Sequence, residues 1–329
     1  MTRATERAEG IHRLEVPTPF SIGTVNAYLI CGDPLTLVDG GPAWTTALSA
    51  LERAVAEHGA RLEDIELVLI THHHVDHLGL ARRVAAVSGA EVAALDLLAP
   101  VAANIESYLD EDDRTSAALM RRHGVPGEIV DVLAAVTRVT RHWAEPIRVG
   151  ISVPHDGAIE LSGGRLRVLH APGHSPTDTL FVDEARGVAF VGDHLLAGVS
   201  SNALVGSRPP LEPAADRYRA LLTYRESLRA TRRLDVHTIL TGHGPPIEDH
   251  RALIDARMAK HEQRAARILE ILQSAPRSAY EIAGMMMGRH ALTQAYLSVS
   301  SVLGHLDLLL RDGLVAEIDA GATCRFATI

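Results

Sequence analysis

Four times in this sequence an apolar run ends on a residue able to bind a metal ion. Ile65 to Ile70, apolar apart from Glu66, runs straight into Thr71-His72-His73-His74-Val75-Asp76-His77. Gly173-His174-Ser175, Gly192-Asp193-His194 and Gly242-His243-Gly244 each follow a further strand-like run. Clustered imidazoles and carboxylates are poor core material without an ion. A fold for this chain therefore has to bring several strand ends together around one polar spot. An isolated histidine pair would read as an exposed polar loop; three more strand ends of the form glycine plus ligand change that. Small residues there let backbone pass close to a crowded site.

Side chains alternate along an extended segment, so His72 and His74 share a side and reach one ion, while His73 points away and is structural. Asp76 and His77, at the turn into the next helix, reach a neighbouring ion. Nitrogen and carboxylate donors suit zinc, and also manganese or iron. His170 and His194 lie near these positions and read as hydrogen-bonded neighbours. Thr71 and Ser175 are candidates to support ligands through their hydroxyls.

Strands are expected at Asn26 to Cys31, Leu35 to Val38, Ile65 to Ile70, Ala158 to Leu161, Leu166 to His170, Leu180 to Asp183, Val188 to Val191 and Val236 to Thr241, with a hairpin turn at Gly163-Gly164. Helical spacing marks Trp44 to His58, Gly79 to Val87 and Tyr218 to Thr231. Strands, helices, strands, helices in that order give an α+β chain of two packed sheets with helices outside. Residues 97 to 146 carry helical patterns and acidic turns without ligand spacing, and are taken as an inserted helical lid. From about residue 256 three helices, Glu262 to Gln273, Ser278 to Met287 and Thr293 to Leu310, precede a short hairpin, the layout of a small winged-helix domain. The expected division is a catalytic domain over 1–255 and a C-terminal domain over 256–329.

The formal net charge of −9 disfavours bulk attraction to polyanions. Residues 256–329 hold eight Lys and Arg against seven Asp and Glu, and Thr293 to Leu310 holds neither Lys nor Arg. Groove binding needs phosphate-neutralising cations, so packing against the catalytic domain or against a second copy in a homodimer is the expected role. Arg229, Arg232 and Arg233 form the most compact basic cluster. Cys31 and Cys324 lie in unrelated segments and read as reduced. The stretch from Met1 to Phe20 has no apolar signal core, and no run approaches a membrane span, which gives a cytoplasmic expectation.

The run His72, His74, Asp76, His77 matches the H-x-H-x-D-H signature of the metallo-β-lactamase superfamily, which the chain resembles over roughly residues 10 to 250. The resemblance implies an αββα sandwich with the site along one edge. It assigns His72, His74 and His174 to a first metal, Asp76, His77 and His243 to a second, and Asp193 to a bridge between them. Asp39, in Val38-Asp39-Gly40-Gly41, resembles the family's acid that takes a ligand histidine's other ring proton; a turn-capping aspartate is the alternative. Hydroxide shared by two divalent ions is nucleophilic near neutral pH, because coordination lowers the pKa of water from ~15.7 towards ~7. Asp76 is the expected catalytic residue, orienting the hydroxide and relaying a proton.

The function implied is hydrolysis of a small ester, thioester or lactone. Ala171-Pro172-Gly173-His174-Ser175-Pro176-Thr177-Asp178 keeps a ligand but departs from the T-P-G-H-T-x-G-S of many relatives, and the cluster with which the hydroxyacylglutathione hydrolase type grips the glutathione carboxylates is not found in this sequence. The winged-helix layout and Gly192-Asp193-His194-Leu195-Leu196 resemble the branch containing endoribonucleases, so nucleic acid is an alternative substrate, though not the favoured one. A one-iron sulfur dioxygenase and a ligand-sensing DNA-binding regulator complete the alternatives.

Overall fold

Strands that are apolar along their whole length belong in layers covered on both faces. In the computed structural model, which describes residues 5–8, 10–206 and 218–329, those runs form two sheets. The first four residues and Glu9 of the charged N-terminal stretch lie outside the described residues. One sheet follows chain order: β1 (Thr5–Ala8), β2 (Ile11–Pro17), β3 (Thr24–Ile30), β4 (Thr36–Val38), β5 (Leu67–Ile70), β6 (Glu91–Leu95) and β7 (Ile151–Val153). Pairing is antiparallel from β1 to β4 and parallel from β4 to β7. The other sheet comprises β8 (Ala158–Leu161), β9 (Gly164–His170), β10 (Thr179–Asp183), β11 (Val188–Gly192) and β12 (Thr238–Thr241), antiparallel except for β11 beside β12.

Two parallel pairs fix where chemistry can gather. Val38 of β4 lies opposite Leu69 of β5, so Asp39 and Thr71 leave neighbouring strand ends on the same side. Gly192 of β11 lies opposite Thr241 of β12, which does the same for Asp193 and Gly242. Open sheets bind ligands at such carboxyl ends. The sheets meet through apolar side chains, among them Tyr28 of β3, edge-on to Phe190 of β11 with centroids 5.3 Å apart. Phe181, Phe190, Leu29, Leu37 and Leu69 are fully buried here; each contributes roughly 1.5–3 kcal/mol.

Helices α1 (Thr45–Ala56), α2 (Val75–Leu78), α3 (Ala81–Ser88) and α4 (Leu98–Ala103) belong to the same unit. Ala47, Leu51 and Val55 recur at helical spacing on α1 and are all buried. The expected helix at Gly79 to Val87 is α3, and the short turn α2 precedes it. β6 and β7 were not expected, because the alanines of Glu91–Leu95 carry little strand signal and Ile151–Val153 is only three residues long.

The chain folds as two compact units, and their boundary differs from the expected one. The first comprises residues 1–108, 140–201 and 233–250, and the second 109–139, 202–232 and 251–329. Most of the segment read as a lid thus belongs with the C-terminal residues. Hydrogen bonds explain it: Tyr280 N–H donates to His123 O, and the Arg122 guanidinium donates from Nη1 to Gly321 O. The second unit contains α5 (Ile105–Arg122) from Leu109 onward, α6 (Gly127–Thr140) as far as Val139, α7 (Ala220–Arg232), α8 (His250–Leu272) from Arg251 onward, α9 (Ala279–Met287), α10 (His290–Thr293) and α11 (Ala295–Arg311), followed by the hairpin β13 (Val315–Ala320) and β14 (Thr323–Thr328). Ser278 caps α9 reciprocally: Glu281 N–H donates to its Oγ, and its own N–H donates to the Glu281 carboxylate. Among the described residues, no helix is long and apolar enough to cross a membrane.

Helix α11 is buried nearly all round, with Val299, Val302, Leu303, Leu306 and Leu309 joined by the polar Ser298, Ser300, His305 and Asp307. His305 donates from Nδ1 to Ser301 O and lies edge-on to His261, centroids 5.6 Å apart. Burial, with nearby Arg225 and Arg264 adding repulsion, holds His305 down to about 4; burial, then His305 and the same arginines, holds His261 down to about 3. Unfolded histidines protonate near 6.5, so the unfolded chain takes up these protons first as pH falls. Stability is therefore present in full above about pH 6.5 and is lost as pH drops towards 4. Each histidine contributes a slope of at most about 1.4 kcal/mol per pH unit. The melting temperature should fall less steeply from pH 7 to pH 5 in His261→Gln/His305→Gln than in the parent. Equal slopes in a thermal scan would refute this.

Candidate metal centre

All seven residues picked out by spacing converge at the carboxyl ends of β5, β11 and β12 and the loop after β9. Three overlapping groups have their donor atoms within 4.8 Å of one another: His72, His74 and His174; Asp76, His77 and His243; His72, His77 and Asp193. His74 Nδ1 lies 3.0 Å from both His72 Nε2 and His174 Nε2. Asp193 joins the sets, its Oδ2 being 3.6 Å from His174 Nε2 and 3.4 Å from His243 Nε2. Its Oδ1 is 3.4 Å from His77 Nε2, and Asp76 Oδ2 is 3.4 Å from His243 Nε2.

Surrounding groups decide which ring nitrogens carry protons. The Thr71 hydroxyl has one proton and donates it to Asp39 Oδ2 at 2.7 Å, so it can only accept from His72 Nδ1, 3.1 Å away. His77 Nδ1 donates to Asp39 Oδ2 at 2.8 Å, and His243 Nδ1 donates to Thr24 O at 2.6 Å. In the neutral rings this leaves Nε2 of His72, His77 and His243 as lone pairs directed into the site, the tautomer a metal ligand needs. His77 Nε2 and Asp193 Oδ1 are buried and have no hydrogen-bond partner. Converging lone pairs with orphaned donors fit a cation.

Electrostatics agree. Burial, then His77, His74 and His174, hold His72 well below its ordinary range, and burial with His174 and His73 does the same for His74. Burial opposes charge on His77 and His243, yet carboxylates outweigh it: Asp193 and Asp39 keep His77 well above its usual value, and Asp193 with Asp76 raise His243 to about 9. Burial opposes ionisation of Asp193 too, but His77 and His243 hold it well below the carboxylate range. Protons therefore occupy part of the place a cation would take.

Asp39 combines the two roles weighed for it. Its Oδ1 accepts from Thr71 N–H at 2.9 Å, capping the strand end, while Oδ2 takes the Thr71 hydroxyl and His77. It adopts a left-handed backbone, φ 56°, a strain of order 1–3 kcal/mol outside glycine. His73 bonds Thr177 Oγ1 at 2.8 Å and meets Tyr108 edge-on. His170 bonds Pro176 O, and His194 the backbone of Ala171. Ser175 turns to Asp178: its N–H and hydroxyl both donate to that buried acid, which burial raises to about 6. Asp178, Thr24, Asn26 and Tyr28 went unnoticed in the sequence. A polar Asn26 opening an apolar strand was the one available signal.

The glycines at the strand ends are required sterically. Gly192 has φ +50°, and a Cβ on it would lie 2.5 Å from Thr71 Oγ1. A Cβ on Gly242 would meet Asp193 Oδ1 and lie 2.6 Å from His77 Cε1.

A sandwich of two sheets whose strand ends gather this histidine and aspartate set is the arrangement of one family. The chain belongs to the metallo-β-lactamase superfamily, whose family model matches residues 21–243, and is a metal-dependent hydrolase of that class. It is 32% identical over 327 residues to the probable metallo-hydrolase YqjP of Bacillus subtilis, covering 98% of both chains. The metallo-β-lactamase family protein TTHA1429 of Thermus thermophilus superposes with a TM-score of 0.81 at 29% identity, covering 98% of this chain and 99% of that one. The hydroxyacylglutathione hydrolase GloC of Haemophilus influenzae is 27% identical over 143 residues, 42% of this chain and 55% of that protein.

Two outcomes follow for divalent ions. At pH 7 their binding should release protons from His77 and His243, so affinity should rise with pH at least as far as about 9, where His243 loses its proton; calorimetry in buffers of different ionisation enthalpy measures this, and a buffer-independent heat would contradict it. Gly242→Ala should lower metal affinity by about 10–100-fold while leaving the far-ultraviolet circular dichroism unchanged, and full metal content in that variant would count against the steric reading.

Proposed function

We propose that the chain is a two-metal hydrolase that cleaves a small ester, thioester or lactone. The observation carrying this reading is the Asp193 carboxylate, whose Oδ2 reaches a ring nitrogen of the His72, His74 and His174 set and one of the Asp76, His77 and His243 set. A ligand shared by two ions has to face both groups at once. On this reading His72, His74 and His174 hold one divalent ion, Asp76, His77 and His243 the other, and Asp193 bridges them; zinc suits the donors best, with manganese or iron as alternatives. Bound there, the ions supply a water of near-neutral pKa and offset charge developing on the substrate oxygen.

The protein's own groups then have defined tasks. Asp76 is half-buried, whereas Asp193 is buried, so Asp76 is the carboxylate placed to accept a proton from the attacking water and pass it on. Asp39 holds the His77 ring and the Thr71 turn in register, and Thr71 holds the His72 ring. No serine or cysteine nucleophile is required.

Helix α11, the position a recognition helix would take, is buried nearly all round. Arg232, from the basic cluster near the end of α7, is engaged by Asp255 through two bonds of 2.7 and 2.8 Å. Neither feature supports a polyanionic partner. The likeness to a hydroxyacylglutathione hydrolase favours a thioester among the three classes.

A panel of thioesters, esters and lactones, assayed with added zinc or manganese, should yield hydrolysis with at least one class. Asp76→Asn should then reduce kcat by about 10²–10⁴-fold, and His72→Ala should abolish turnover. Cleavage of single-stranded RNA in place of these substrates, lost in the same variants, would transfer the assignment to a phosphodiesterase. One iron per chain would transfer it to an oxygenase.

A further inference from the structure

His243 is the one ligand candidate of its set that comes from a loop following β12, and that loop is suspended from a neighbouring strand of the other sheet. Asn26 on β3 makes three bonds to it. Its backbone N–H donates to Gly242 O at 2.7 Å, and its Nδ2 donates to Thr241 O and Gly244 O, both at 2.9 Å. Tyr28, two residues along the same strand, donates its hydroxyl to Thr241 O at 2.7 Å. Arg13 adds a bond to Gly244 O at 3.1 Å, and Thr24 O receives the His243 ring proton. The Thr241 hydroxyl closes the loop on itself, donating to His243 O at 2.9 Å.

The orientation of the Asn26 amide is forced. Two carbonyl oxygens face Nδ2, so a flipped amide would set oxygen against oxygen. Its Oδ1 is buried with no hydrogen-bond partner, a penalty of about 1–3 kcal/mol that an apolar residue would avoid. An asparagine here is understandable for its donors alone. None of these contacts reaches the His72, His74 and His174 set, in which the His72 ring is held by Thr71 and Thr71 in turn by Asp39.

We infer that Asn26 and Tyr28 are positioning residues for half of the centre: they latch the 241–244 loop so that His243 completes the second ion's ligand set, and the first set assembles without them. The inference rests on the two-ion reading above. Breaking the latch should therefore cost one ion and spare the other, whereas a general loss of stability would cost both in parallel.

Asn26→Asp replaces two donors with a carboxylate facing two carbonyls, and Tyr28→Phe removes one donor without changing shape. Full-length parent and variants, loaded with zinc and dialysed, are compared by elemental analysis, by zinc titration against a chromophoric chelator and by the ligand-field spectrum of the cobalt form. The parent should hold two ions. Asn26→Asp should hold about one, with the weaker site's affinity reduced by 10–100-fold or more, and Tyr28→Phe should shift the same site in the same direction by less. Circular dichroism and melting temperature report the fold. Two ions held at parental affinity in both variants, or both ions lost together in a folded variant, overturns the latch. Should Asn26→Asp not fold, unchanged second-site affinity in Tyr28→Phe overturns it. A parent that holds a single ion instead overturns the two-ion reading, and the latch with it.

Discussion

Ring nitrogens of His72, His74 and His174 converge, with His74 Nδ1 3.0 Å from each of the other two, and lone pairs so directed would repel one another. Everything around the centre serves that unfavourable convergence. Asp39 accepts from Thr71 and His77 simultaneously, so one buried carboxylate sets the turn after β5 and the ring orientation beyond it. The register of the parallel pairs β4 with β5 and β11 with β12 brings the remaining groups to the same edge. Strand pairing thus supplies the coarse geometry, and a few buried acceptors supply the orientation of each ring.

Much of this was legible in the sequence because it is local. His72, His74, Asp76 and His77 lie on one turn after an apolar strand, and Gly192 and Gly242 mark places where a side chain would collide with ligand groups. The apolar runs also located β8, β10, β11 and α9 to within a residue or so. Their signals are contained in a few consecutive residues, where period and capping chemistry act directly.

The remainder depends on contacts far apart in the chain. Asn26 lies 215 residues from the Thr241 carbonyl it bonds, and nothing beside it in the strand announces that partner. Asp178 looked like part of a variable turn, whereas it takes both the amide and the hydroxyl of Ser175. Residues 109–139 looked like an insertion into the first unit because they lie between its strands in sequence. Their backbone bonds to the C-terminal segment, as at His123 and Tyr280, are invisible to periodicity.

The two units are interleaved along the chain, three stretches of one alternating with three of the other. A polypeptide leaving the ribosome therefore presents the imidazole trio once His174 has emerged, while His243 follows on the order of several seconds later. During that interval the nascent protein already contains three imidazoles able to bind a metal without the other half of the centre, and residues 109–139 have yet to meet the C-terminal segment they bond. Neither unit corresponds to a continuous stretch of coding sequence, so recombination at any single point between residues 109 and 250 would sever both.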